Sequence, residues 1–235
     1  MGPSRFDLSA LLVGLDPDDP DLLACGGDLS PSTLLEAYAL GLFPMGTGSG
    51  GSDPLGWWCP ARRGVLHPAD VHVSRSLRRS MRGFTITTDT AFADVVAGCA
   101  DPRRSGAWIT DRFAAAYLRL HELGWARSVE VWADGELAGG LYGVSIGGLF
   151  AAESKFHRVT DASKAAVVGL ARIMHGDAIP GRLIDVQWAT DHLETLGVRE
   201  VPRARYLRLL GAARALPVPE RFSARPGPSA TYDGG

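Results

Sequence analysis

Three consecutive segments constrain the fold more than anything else in the chain: SVEVW (128–132), ELAGGLYGVSI (136–146) and LFAAESKF (149–156). Only Ala133, Asp134 and Gly135, and Gly147 with Gly148, separate them. Runs rich in β-branched and aromatic residues, joined by connections this short, read as antiparallel hairpins. A helical pattern follows, DASKAAVVGLARIM opening at Asp161, and then a further strand at Leu183. Antiparallel strands with helices before and after them predict an α+β fold with a mixed, mainly antiparallel sheet.

Upstream, Ser30, Pro31 and Gly41 frame a helix in LSPSTLLEAYALG as N-cap, first-turn proline and terminal glycine. Ser74 is placed to cap a short helix through Arg82, Asp89 one to about Cys99, and Thr110 the run DRFAAAYLRLHELG, closed by Gly124. Asp191 is expected to cap the turn DHLETLG, with Gly197 at its end, and Pro202 to start a last helix ending near Leu216. GTGSGGS (46–52), between Pro44 and Pro54, reads as a mobile loop, and the segment around Trp57, Trp58 and Pro60 as too proline-rich for regular structure. These breaks divide the chain into a small N-terminal domain (1–62), a larger second domain (63–216) and a disordered tail (217–235).

The 235 residues suffice for a sizeable core, and a net charge of −2 means that any nucleic acid must be met by a local patch. Cys25, Cys59 and Cys99 form no C-x-x-C pair, which excludes a disulfide framework and the common zinc sites. The first residues lack a signal peptide's apolar run, and no segment has 18 uninterrupted apolar residues, so a cytoplasmic protein without a membrane span is expected.

Chemistry concentrates in a few places. In LIDVQWATDH (183–192), Asp185 and Gln187 share one face of a strand while Ile184, Val186 and Trp188 take the other. Burying such a pair costs a few kcal/mol without a partner, so it either meets a ligand or is satisfied by loop backbone. Arg75, Arg78, Arg79 and Arg82 recur at helical spacing with no acid among them, which concentrates positive potential suited to phosphate; a solvated face is the alternative. Trp57, Trp58 and Trp108 sit near prolines or in a polar turn, available for base stacking or for packing between domains. Glu153 ends an apolar strand, where it needs a cationic partner or a cleft. Ser154, Lys155 and His157 follow without a G-x-S-x-G elbow, which argues against a serine hydrolase. Asp191, His192 and Glu194 look like an acid/base cluster but fit a capped turn.

Taken in order, the blocks GGDLSPSTLLEAYALGLFP, WWCPARRGVL, SRSLRRSMR, GAWIT, GGLYGVSIGGLFAAESKF, DASKAA, LIDVQWATDHLETLG and PRARYL resemble the leucyl/phenylalanyl-tRNA-protein transferase family over roughly residues 20–215. The resemblance implies a catalytic domain with the fold of GNAT-type N-acetyltransferases, working without acetyl-CoA, any other cofactor or a metal. The donor would be the 3′ aminoacyl-adenosine of leucyl-, phenylalanyl- or methionyl-tRNA. The acceptor would be an N-terminal Lys or Arg, and the product a destabilising N-terminus, made by a monomer. It implies Asp185 and Gln187 as the catalytic pair, the arginines of SRSLRRSMR as the tRNA-binding helix, and Trp108 near the terminal adenosine. It further implies Glu153, Ser154, Lys155, Phe156, Leu141 and Phe150 in substrate binding.

Two positions depart from the family pattern. Lys155 stands where an apolar residue, typically Met, lines the pocket for the donated side chain, and Met45 with the GTGSGGS insertion stands where a Trp and a short turn are usual. An altered donor would follow, and Lys155→Met would then raise leucine transfer. The rival readings are an acetyl-CoA-dependent acetyltransferase, whose pyrophosphate loop only RLLGAA (208–213) matches, inside a predicted helix, and a non-catalytic RNA-binding module.

Overall fold

Strand and turn chemistry dominate the architecture. The computed structural model describes residues 6–16, 19–104 and 106–223. In chain order the elements are β1 (Leu22–Cys25), α1 (Pro31–Leu40), β2 (Phe43–Gly46), β3 (Leu55–Trp58), β4 (Arg62–Leu66), α2 (Arg75–Ser80), β5 (Thr85–Thr88), α3 (Phe92–Ala100) and α4 (Asp111–Glu122). Then come β6 (Ala126–Ala133), β7 (Glu136–Ile146), β8 (Leu149–His157), α5 (Ala162–His175), β9 (Leu183–Gln187), α6 (Asp191–Glu194), β10 (Arg199–Pro202), α7 (Arg203–Arg214) and α8 (Glu220–Ser223).

The strands form a three-stranded sheet, β1-β3-β2, and a seven-stranded sheet ordered β10-β4-β9-β8-β7-β6-β5. Every pairing in the large sheet is antiparallel except β8 with β9, so the α+β class with a mixed, mainly antiparallel sheet is observed. The parallel pair requires a crossover, which α5 supplies. Asp134 and Gly135 both take positive φ in the β6–β7 hairpin, the conformation an Asp-Gly turn favours.

Period-2 alternation assigns the two faces. Val129, Val131, Leu141 and Phe150 pack with Ala162, Ala166 and Leu170 of α5, whereas Tyr142, Val144 and Ala151 belong to a core shared with α1, α3 and α4. No helix of the described residues is long and apolar enough to cross a membrane.

Several local expectations are corrected. Trp57 and Trp58 lie in strand β3, so the flanking prolines bound regular structure rather than prevent it. Residues 46–52 form a compact loop, with Gly48 N–H donating to Ser52 C=O at 3.0 Å; a Cβ on Gly51 would lie 1.8 Å from the Trp108 carbonyl oxygen. Asp89 does not cap α3, which begins after Ala91; its carboxylate accepts from Ser128 N–H and Arg127 instead. Thr190, not Asp191, caps α6, accepting from Leu193 N–H. Residues 217–223, assigned by sequence to a disordered tail, carry α8, and buried Phe222 stacks on Phe150 with centroids 5.7 Å apart; residues 224–235 lie outside the described residues.

Candidate active site

A break in the large sheet builds the site. β8 and β9 pair only over Leu149 to Ala151 against Leu183 to Asp185, then part. Each strand carries one surplus residue at the parting. On β8, Ser154 pairs with Tyr142 and Ala152 with Gly143, leaving Glu153 as a bulge; on β9, Gln187 pairs with Gly64 and Asp185 with Val65, leaving Val186. Bulges bend their strands and re-aim side chains. The result is a cavity of about 80 Å³ lined by Leu141, Ala152, Glu153, Ser154, Lys155, Val167, Val186, Gln187 and Leu193.

Asp185 and Gln187 do not share a strand face as alternation predicts. Gln187 has φ +60°, and Trp188 N–H donates to Val186 C=O at 2.8 Å, so Gln187 sits at the centre of a γ-turn, a rare and strained conformation with positive φ. Gly64 makes room: a Cβ there would lie 2.7 Å from Ala189 N. Asp185 holds the turn by accepting from Gln187 N–H at 2.9 Å.

The Asp185 carboxylate is fully buried and saturated. Besides Gln187 N–H it accepts from Arg63 Nε at 2.8 Å, Arg63 Nη2 at 2.6 Å and the Tyr206 hydroxyl at 2.7 Å. A carboxylate offers about four lone-pair sites, and four donors fill them. Burial alone would lower the pKa of Arg63, but the charge of Asp185 outweighs it, and the guanidinium also lies 4.4 Å from the Tyr206 ring centroid.

Glu153 is in the opposite condition. Its Oε2 accepts from Tyr117 at 2.6 Å, Tyr117 shares a 2.7 Å hydroxyl contact with Tyr38, and Oε1 has no hydrogen-bond partner among the described residues. Burial raises its carboxyl to about 7, against the opposing pull of the Tyr117 and Tyr38 hydroxyls. Gln187 Nε2, the Tyr142 hydroxyl and Arg63 Nη1 are likewise buried without partners among the described residues. Orphaned buried polar groups are rare in native proteins and call for an explanation; two of these, Glu153 and Gln187, line one otherwise largely apolar cavity.

A profile of the leucyl/phenylalanyl-tRNA protein transferase family matches residues 65–211, and a profile of that family's N-terminal domain matches 27–61. A leucyl/phenylalanyl-tRNA-protein transferase of Aromatoleum aromaticum is 52% identical over 194 residues, 80% of each chain. Those of Tolumonas auensis and Chromohalobacter salexigens are 50% identical, over 82% of both chains and over 85% of this chain and 78% of that one, respectively. The chain belongs to this family. Among solved structures, a conserved protein of unknown function from Bacteroides thetaiotaomicron aligns with TM-score 0.40 and 11% identity over 68% of this chain and 58% of that one.

Within this family member, the sequence-predicted site residues fall into three groups. Leu141, Glu153, Ser154, Lys155 and Gln187 line the cavity, with Asp185 directly behind Gln187. Phe150 and Phe156 lie outside it: Phe150 packs on Phe222, and Phe156 lies against Gly98 beside a separate cleft of about 590 Å³ next to α3 and α4. Trp108 does not line the cavity either; half-buried, it meets Phe113 edge-on at 5.1 Å. Trp57 is a core residue, 2% exposed, donating to Gly26 C=O, and Trp58 donates to Met45 C=O, so domain packing accounts for both.

Ser74 caps α2, and buried Leu77 anchors it. Arg75, Arg78, Arg79 and Arg82 are all exposed and, among the described residues, without ion pairs, although Arg82 follows the α-helix in a 3-10 turn. Lys155 is half-buried, and its ammonium has no partner among the described residues; burial, then Arg104, lower its pKa.

Sequence reasoning missed Arg63, Tyr206, Tyr38 and Tyr117. The tyrosines lie in apolar-periodic helices and read as core. Arg63 carried a usable signal, an arginine followed by the strand-like run GVL in WWCPARRGVL.

Proposed function

We infer that the chain moves an aminoacyl group from the 3′ end of an aminoacyl-tRNA to the N-terminal amine of an acceptor protein. The observation carrying this reading is the gap between β8 and β9, where an apolar cavity presents the unpartnered polar atoms of Glu153 and Gln187, in a chain of this family. Leucine, phenylalanine or methionine is the donor residue, N-terminal Lys or Arg the acceptor, and the product a destabilising N-terminus that marks the protein for degradation. The enzyme acts in the cytoplasm as a monomer, with residues 63–216 as a GNAT-like catalytic domain behind a small N-terminal domain.

The reaction is aminolysis of an ester. An α-amino group with a pKa near 8 is about a tenth to a third neutral at cytosolic pH, so modest assistance suffices. The neutral acceptor amine docks on ionised Glu153, whose carboxylate, with its pKa near 7, takes the proton that nitrogen loses on attacking the ester carbon and passes it to solvent. Gln187 Nε2 donates to the developing oxyanion. The bond to the ribose 3′-oxygen breaks, and that oxygen leaves protonated by its vicinal hydroxyl or by water. Asp185 has no free lone pair and acts as a positioning residue, fixing the strained turn that aims Gln187. The arginines around α2 bind tRNA phosphates, and Trp108 stands by the terminal adenosine.

The test uses the purified chain, radiolabelled aminoacyl-tRNAs and reporter polypeptides beginning with Arg, Lys or Ala. Label from Leu- or Phe-tRNA is expected in the Arg and Lys reporters only. No transfer from any charged tRNA overturns the reading.

A further inference from the structure

Lys155 lines the acyl cavity, and no carboxylate or carbonyl among the described residues accepts from its ammonium, while its backbone carbonyl accepts from Arg104. An amine left inside beside Leu141, Val167 and Leu193 would be costly, whereas a lysine stem can line an apolar wall with its head directed to the mouth. Further basic residues adjoin the cavity lining in sequence. Lys164, in the first turn of α5, lies one turn before the lining residue Val167, and exposed His192 immediately precedes the lining residue Leu193.

The start of α5 meets the arginine helix. The Ser80 hydroxyl, at the end of α2, donates to Asp161 at 2.8 Å, and α5 begins at the next residue. Asp161 is therefore engaged, while Asp191 and Glu194 on α6 are exposed, and Glu194 borders another cleft with His72 and Arg199. The end of α2, which carries the arginines, is therefore tied to the start of α5, which carries Lys164.

We propose that Lys155 and Lys164 bind the phosphodiester on the 5′ side of the tRNA's terminal adenosine, so that the RNA backbone runs from the arginines past Lys164 into the acyl site. The inference rests on the aminoacyl-tRNA reading. With the acyl side chain in the cavity, this phosphodiester is the nearest anion of the substrate, one ribose away from the ester. Lys155 then acts on the RNA backbone, and its aliphatic stem replaces the apolar residue usual in the family as a wall for the donated side chain.

The test measures binding of an RNA minihelix ending in CCA that carries leucine through a stable 3′-amide. The minihelix is made with either an ordinary or an uncharged methylphosphonate terminal linkage. Proteins are wild type, Lys155→Met and Lys164→Ala. Lys155→Met is expected to flatten the salt dependence by about 0.7 in log–log slope, so a fourfold rise in salt costs it about 2.6-fold less affinity than it costs wild type. Methylphosphonate should weaken wild type several-fold and each lysine variant less, because the variant has already lost one of the two cations on that linkage, the coupling expected of direct partners. Equal methylphosphonate effects on all three proteins overturn the proposal, as does an unchanged slope with an altered Leu-to-Phe preference. Tight RNA binding without transfer refutes the enzymatic reading while leaving this coupling measurable. Failure of wild type to bind RNA refutes both.

Discussion

Glu153→Gln separates what the buried carboxyl does for the reaction from what it does to the fold. Burial holds the group at about 7 against its ordinary 4.5. Between those values the folded chain binds more protons than the unfolded one, so stability falls as pH rises through this window and levels off above it. At 1.36 kcal/mol per pH unit the whole span amounts to about 3 kcal/mol, of which about 2.5 falls between pH 5 and pH 8. Glutamine keeps the shape and can still accept from Tyr117, but it does not titrate. In urea unfolding at constant ionic strength, the variant is expected within about 1 kcal/mol of wild type at pH 5 and roughly 3 kcal/mol more stable at pH 8. Aminoacyl transfer should meanwhile drop about a hundredfold or more. A stability difference that stayed flat within about 0.5 kcal/mol from pH 5 to 8 would show that Glu153 is not a carboxyl raised by burial.

Three other perturbations probe the surroundings. Arg63→Met leaves a fully buried Asp185 without its cation and is expected to cost about 3–5 kcal/mol, or about 6–20 °C in melting temperature for a chain of this size; a drop of under about 3 °C would show that the pair does not hold the site. Asp185→Asn should reduce kcat far more than it changes KM, because the turn presenting Gln187 loses an acceptor. A transfer rate within a few-fold of wild type would remove the positioning role. Replacing Arg78 and Arg79 by Gln should weaken tRNA binding whatever amino acid is attached and flatten its salt dependence by about 0.9 for each duplex phosphate no longer neutralised; an unchanged slope would make the arginine face merely solvated.

Much of the fold was legible because its signals are local. The Asp134 and Gly135 hairpin, the Ser30 and Ser74 caps and the Gly41 stop each depend on the conformation of a few adjacent residues. The site resisted such reading where long-range contacts override local pattern. Strict alternation put Asp185 and Gln187 on one face, but the bulge at Val186 and the turn at Gln187 are set by Gly64 and Arg63, more than a hundred residues earlier. Trp57 looked available for stacking because its prolines suggested a loop, yet pairing of β3 between β1 and β2 draws it into the core. Nothing in AAAYLRL marks Tyr117 as the partner of Glu153; only the packed structure shows the hydrogen bond.

The paired bulges also bear on how such a site can arise. Glu153 and Val186 are each one residue more than the facing ladder needs, and beyond them β8 resumes a regular pairing with β7, Ser154 opposite Tyr142 and Lys155 opposite Leu141. Lengthening a strand by one residue at such a point adds a side chain without re-pairing its neighbours. A continuous sheet and a sheet with a chemically equipped gap are then separated by two small insertions on adjacent strands, a route to new activity that substitution alone does not offer.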